Sequence, residues 1–510
     1  MEKRIAGLRR VKPAEVAGVA RKFLRLENCS LLEYLPASAE PRNLSAEVLA
    51  KTIRDLLPSA VEEEIEALEK TTEPPLQIPK EPDDFKFSEI RYPIQKSSVW
   101  RGPELFIKED HTTPLLHMGL FFPGGRLAEK KDNAGITSLM LRWLLRGSRS
   151  SPPEPLYRRL EMFGAQVSPI VEDDSFGILF SVLSRNAEPA FDQLFEMVKS
   201  PKFDPDEFSR QKALQLALVR KEKRSADSYP QALVDQSLFT DHPYGLNAHG
   251  SEASLASLTA EAVQAWYKSL VENRKPLVVI VGNTQGTSLA RYFVRNFSGS
   301  RYQDVKSPEG FAKPLEKRQL AEGTWDNGQS VVLLGFHAPP EGDEDSYPLR
   351  VLEHHLRGMG GRLYDQLRDR QGLAYAVAVH YEPRLRGGKI SISASTSPEK
   401  EESALKGLED EIRRLLETPL SYKDYRASIN AAAGSYWIEQ QDRFSLISRL
   451  VRYALAGKGI EEISEYPTRL QSVREDDLSQ VAQRIFKLEK AAVVRLHGRS
   501  SEPAGGGSSK

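Results

Sequence analysis

Few side chains in this 510-residue sequence have the type and spacing to do chemistry. Among the nine histidines, His354 and His355 are adjacent. On a helix, neighbours diverge by about 100°, so these two cannot close on one ion as an i, i+4 pair would. His242 opens the turn His-Pro-Tyr-Gly and reads as a turn residue. Cys29 is the only cysteine, which excludes an intrachain disulfide and any cysteine-rich metal site. The turn RGMGGR (357–362), with Gly358, Gly360 and Gly361, lacks the GxxxxGK[ST] pattern and does not follow a strand, so it is no phosphate cradle. It is either an ordinary turn between helices or a place where backbone approaches a substrate or partner closely. GNTQGTS (282–288) fails the same test. Arg368 and Tyr375 stand seven residues apart, Arg368 near the end of the helical stretch RLYDQLRDR and Tyr375 in the strand-like GLAYAVAV. By spacing alone they are an arginine ending a helix and a tyrosine filling a strand face.

The 71 basic residues are matched by 71 acidic ones, which argues against a nucleic-acid coat or a polybasic membrane anchor. With 40% hydrophobic and 28% charged residues the composition is that of a globular protein. The longest apolar run, 277–281, is strand-sized, and the opening residues contain no apolar stretch of signal-peptide type. Neither a signal peptide nor a membrane-spanning segment is legible, and the compartment is left unassigned.

Three segments share a pattern: 11–36, 258–282 and 473–498 each place a polar cap before an amphipathic helix that runs into a short apolar strand. Val16, Val19, Ala20 and Phe23 match Leu478, Val481, Ala482 and Ile485 in spacing. If these are closing elements, the interval between the last two is one repeat length, and the first closes a repeat whose beginning is absent. Between 41 and 95 lie two short helical stretches (45–57, 61–70) and the proline-rich TEPPLQIPKEPDD, a stiff linker. After it, two runs share one order of elements: strand, buried helix, helix, two strands, helix. Strands and helices alternate in runs rather than as strict βαβ, so the fold class is α+β, antiparallel sheets covered by helices.

The phrase FFPGGR (121–126) before a buried helix, FGAQVSPIVEDDSFGILFSVL (163–183), HPYG (242–245) and RLYDQLRDRQGLAYAV (362–377), in this order, resemble the pitrilysin/insulinase family of zinc peptidases over nearly the whole chain. Members that cleave peptides carry the inverted motif HxxEH on the helix in the position of GITSLMLRWLLRG (135–147). There two imidazoles one turn apart hold zinc, and the Glu between them activates the bound water. Here those positions are Ser138, Leu141 and Arg142, none of them fit for either task. The third ligand of the family is a Glu further along, and the corresponding stretch 209–221 (SRQKALQLALVRK) contains no carboxylate. What remains is a packed helix with Ile136, Leu139, Met140, Trp143 and Leu144 on its apolar face.

The resemblance gives Arg368 and Tyr375 a further meaning. In such peptidases an Arg and a Tyr at this spacing lie in the non-catalytic half and reach across to the zinc half, the Arg holding substrate backbone and the Tyr hydroxyl stabilising the oxyanion. It implies a non-catalytic C-terminal half or subunit, with 1–40 the closing helix and strand of a preceding peptidase unit and 41–95 a linker. Residues 96–300 would be a degenerate peptidase-like unit, 301–328 a linker, 329–500 a second unit with the Arg/Tyr pair, and 501–510 a tail. No cofactor is expected in this chain. Zinc is expected in an HxxEH-bearing partner half, upstream in the same polypeptide or a separate subunit, and the two would enclose an unfolded peptide. Neither nucleic acid nor membrane is expected as a partner. The alternative is a scaffold or assembly subunit of the same fold with no proteolytic role.

Overall fold

The apolar strands and amphipathic helices read from the sequence assemble, in the computed structural model, within two compact units, Met1–Ile78 and Pro79–Lys510. The structure describes residues 11–23, 94–99, 102–150, 153–272, 274–297, 302, 310–357 and 361–499. In the first unit this is one helix, α1 (Pro13–Phe23), entered through a proline, with Glu15 accepting the backbone N–H of Lys12 at 2.8 Å. Its Val16 and Val19 are exposed. The strand expected after it, the helices at 45–57 and 61–70, the proline-rich linker, Gly358, Gly360 and the tail 501–510 lie outside the described residues.

The second unit holds two sheets. Strands β1 (Ile94–Ser98), β2 (Glu104–Glu109), β3 (Leu115–Pro123), β4 (Gln166–Val171), β5 (Ser175–Leu183) and β6 (Leu277–Gly282) lie in the order β1-β2-β6-β3-β5-β4. Strands β7 (Gln319–Thr324), β8 (Ser330–Ala338), β9 (Ala376–Glu382), β10 (Gly388–Thr396) and β11 (Ala492–His497) lie in the order β7-β11-β8-β10-β9. Apart from β1 the two orders are one topology. In each, the closing strand runs parallel to the first strand and antiparallel to the second: β6 beside β2 and β3, β11 beside β7 and β8. Interior strands need apolar residues on both faces, and every residue of β6 is buried. The sequence similarity between 258–282 and 473–498 is thus a repetition of fold. Part of the segment read as a linker, 319–324, is strand β7.

The helices that position the site are α2 (Ile136–Leu144), α3 (Pro205–Glu222), α4 (Ser228–Leu238), α5 (Ala260–Tyr267), α6 (Ser346–Leu356), α7 (Tyr422–Glu439), α8 (Arg443–Leu455) and α9 (Glu475–Ile485). Helices α5 and α9 lead into β6 and β11, with Val263, Leu478, Val481 and Ala482 buried. Two helices are exchanged between the repeats. Helix α4, from the first repeat, packs on β7, β8 and β11, and α8, from the second, packs on β3 and β6. One apolar core therefore runs from Phe121, Val279 and Val281 of the first sheet through Ile447 and Val451 of α8 into Leu334 and Phe336 of the second.

A glycine seats each exchanged helix. A Cβ on Gly119 of β3 would lie 2.4 Å from Ile447 Cγ2, and one on Gly335 of β8 would lie 2.7 Å from Val234 Cγ1. Gly119→Ala and Gly335→Ala are each expected to lower stability by about 1–3 kcal/mol through overpacking, read as a fall in the urea midpoint. An unchanged midpoint would show that the exchanged helices tolerate displacement.

Candidate functional site

Helix α2 starts at Gly135, whose φ of 87° and close approach to the His249 carbonyl (2.5 Å from a built Cβ) leave no room for a side chain. Its first turn is held by Glu129, whose buried carboxylate accepts the N–H groups of Gly135 (2.8 Å) and Thr137 (2.9 Å). Burial drives the Glu129 carboxyl up to about 7, although these bonds and Arg126 pull the other way. The expected apolar face of Ile136, Leu139, Met140, Trp143 and Leu144 is buried, and Leu141 with it. Ser138 and Arg142, one turn apart, share the other face.

Ser138 Oγ lies 3.3 Å from His249 Nδ1. Alongside, on α3, the fully buried Gln215 donates Nε2 to the carbonyls of Gly135 (2.9 Å) and His249 (3.0 Å), and its Oε1 has no partner. The helix ends at Glu222, one residue beyond the carboxylate-free stretch 209–221. Burial lowers the His249 imidazole, the nearby Glu222 opposes this, and Arg142 adds to it. His249 and Glu222 were absent from the sequence-based site. The legible signal was the spacing of Glu222, two turns beyond Gln215 on one helix face.

This set does not fit zinc. A serine hydroxyl, a buried leucine and a guanidinium occupy the three positions. Among the described residues no group of three or more His, Cys, Asp or Glu could hold a metal. Chain purified without added metal is expected to contain far less than stoichiometric zinc by elemental analysis. A one-to-one content that survives dialysis against a chelator would overturn this.

Between the repeats lies a cavity of about 600 Å³. Its walls are the β4–β5 turn with Glu172, Asp173 and Asp174, the β9–β10 turn with Glu382 to Arg384, the end of α3, the face of α4, and Arg350, Arg449 and Arg452. Beneath it is a buried ion network. Arg384 Nη2 donates to both oxygens of Asp235 (3.0 and 2.9 Å), Lys389 Nζ lies 2.9 Å from Asp235, and Arg384 Nε lies 2.5 Å from Asp173. Arg126 pairs with Asp173. The Tyr244 hydroxyl donates to Asp174 and accepts the N–H of Arg386 (3.0 Å), while Asp174 accepts that of Leu385 (2.9 Å). The turns of both repeats are stitched together here. His242 is the turn residue expected, its Nδ1 accepting the Tyr244 N–H at 3.3 Å.

Arg368 and Tyr375 stand elsewhere. Arg368, in the π-helical turn Tyr364–Arg370, is exposed and lies over the Tyr364 ring at 4.7 Å. Tyr375 is 56% exposed, and its N–H donates to Ser395 O (2.8 Å) at the start of β9, which among the described residues is an edge strand of its sheet. Neither lines the cavity. Gly361 is where backbone meets backbone, a built Cβ falling 2.5 Å from Arg357 O. His354 borders a small recess with Tyr436, whereas His355 faces Ser428 (3.4 Å), so the two share no ligand position.

Residues 105–249 match the family model described as insulinase (peptidase family M16), and residues 257–431 match the peptidase M16 inactive domain. The chain belongs to the pitrilysin/insulinase peptidase family. Among family relatives, an uncharacterised zinc protease of Bacillus subtilis is 19% identical over 405 residues, 79% of this chain and 98% of that protein. One of Rickettsia felis is 23% identical over 366 residues, 71% of this chain and 87% of that protein. The fold is that of a protease from Helicobacter pylori (TM-score 0.74, 15% identity, 80% of this chain and 100% of that one). It is also that of a peptidase M16 inactive domain from Pseudomonas fluorescens (TM-score 0.73, 18% identity, 80% and 98%). The first family match contains Ser138, Leu141 and Arg142, and the second contains Arg368 and Tyr375. The chain thus spans nearly the whole of the Bacillus relative.

Proposed function

We propose that this chain is the non-catalytic half of a zinc metallopeptidase. It would form a peptide-binding chamber with an HxxEH-bearing half and contribute substrate binding and transition-state stabilisation. The observation that carries this reading is the contrast between two sites in one family member. The zinc positions hold Ser138, Leu141 and Arg142, while Arg368 and Tyr375 are kept at the family spacing and left exposed. A Tyr hydroxyl and a guanidinium on the surface beside a free strand edge suit a reacting carbonyl presented by another body. Such groups act without a metal of their own. A peptide pairing with an exposed strand edge would gain affinity through main-chain hydrogen bonds with weak sequence preference.

The test is reconstitution. The chain is mixed with an HxxEH-bearing family member from the same source, and cleavage of an unfolded peptide is followed. Activity that needs both chains supports the reading. Full activity of the zinc-bearing chain alone, unchanged on addition of this one, would refute it.

A further inference from the structure

The two repeats set the same helix beside the same kind of strand: α2 beside β4 and α6 beside β9, both strands being free edges. Matching the helices on the Leu-Arg-Gly at the C-terminal end of each (145–147 and 356–358) places Leu349 at Ser138, Leu352 at Leu141 and Glu353 at Arg142. Glu353 is fully used inside its own repeat. It is 2% exposed and accepts Arg350 Nη1 (2.6 Å) and the backbone N–H of Tyr381 on β9 (3.1 Å). Arg350 also donates to the Tyr381 carbonyl (3.3 Å). The end of β9 is thereby tied to its helix.

Arg142 has no such ties. It is partly buried, its Nε is buried without a hydrogen-bond partner, and among the described residues it makes no ion pair. Its neighbours in the cluster are Ser138 and the neutral-leaning His249; Glu222 is set against His249, and its Oε2 is likewise buried without a partner and does not pair with Arg142. A guanidinium held partly out of water with an orphaned donor is costly unless a ligand supplies the acceptor. Its planar fork fits a carboxylate. The strand beside it offers an incomplete row of backbone donors, because β4 contains Pro169, paired across to Ile178. Main-chain pairing there is weakened, so a charged anchor gains importance.

We propose that Arg142 is a carboxylate-binding residue that holds the carboxylate of a peptide lying between α2 and β4. This rests on the peptide-binding reading above and adds its anchor: the C-terminal carboxylate or an acidic side chain. On this view the first repeat keeps a cationic group on the face of α2 that grips peptide and cannot activate water.

The experiment measures binding of three short N-acetylated, fluorophore-labelled alanine peptides to the full chain: the free acid, its C-terminal amide, and an amide with one Asp. The free acid, the Asp amide or both are expected to bind on the order of tenfold tighter than the plain amide. Which of them does so identifies the source of the carboxylate. That preference should vanish in Arg142→Gln and persist in part in Arg142→Lys. Equal binding of all three peptides, or a preference that survives Arg142→Gln, overturns the role of Arg142 and leaves the peptide-binding reading standing. Binding of none to the unmodified chain overturns both.

Discussion

Tyr375→Phe is expected to lower kcat of the reconstituted pair about 10²–10³-fold with little change in KM, the signature of a donor used only in the transition state. The substitution removes one oxygen from a side chain that is 56% exposed. The backbone bond from Tyr375 to Ser395 and the pairing of β9 with β10 are untouched. Folding should therefore be unaltered, and an unchanged thermal midpoint separates lost chemistry from lost structure. Arg368→Ala should behave differently. Its guanidinium rests on the Tyr364 ring, and its implied task is holding substrate backbone, so KM should rise together with a fall in kcat. Activity that appears only with both chains, yet is untouched by Tyr375→Phe, would remove the oxyanion role and leave the chamber role in place.

The α+β class, the repeat and the buried face of α2 were legible because each is local: apolar spacing within one element states which face is covered. What the element is covered by is not local. Nothing in the sequence of α4 or α8 says that each packs on the sheet of the other repeat. The glycines that make this possible, Gly119 and Gly335, sit in strands where a glycine has several meanings. Strand β7 was hidden for a related reason. QLAEGT alternates half-buried and exposed residues at an edge, with few apolar side chains, and so resembles a connecting segment. Glu222 lies one residue beyond the carboxylate-free stretch 209–221. Arg384, Lys389 and Asp235 were invisible as a group, since charged residues in turns and on helices are ordinarily solvated. The even charge balance of the chain, which argues against polyanion partners, is matched inside it by a network in which cations and carboxylates alternate.

That network gives the largest stability effect expected here. Asp235→Asn should cost about 3–5 kcal/mol, because it keeps the shape of the side chain and removes the charge that compensates Arg384 and Lys389, each 1% exposed. Burial alone would push the Asp235 carboxyl up, but Arg384, Lys389 and Arg126 outweigh it and hold the carboxyl well below the usual carboxylate range. A depressed carboxyl binds fewer protons folded than unfolded, so its stabilisation is present above its unfolded value near 3.8 and is lost as pH falls toward the folded one. The unmodified chain should lose urea stability as the solution is acidified below about pH 4, and Asp235→Asn should show a shallower loss over the same range. Equal stability of the two at neutral pH would mean that Asp173 and Glu382 already satisfy the cations. The consequence reaches the cavity, because Asp235 belongs to the first repeat by sequence and pairs with cations of the second. Arg384 and Asp235 also line the wall. Removing this charge should therefore lower urea stability by breaking the ion network under the cavity, whereas Gly335→Ala, which displaces the same helix from its apolar side, should lower stability with the ion network still intact.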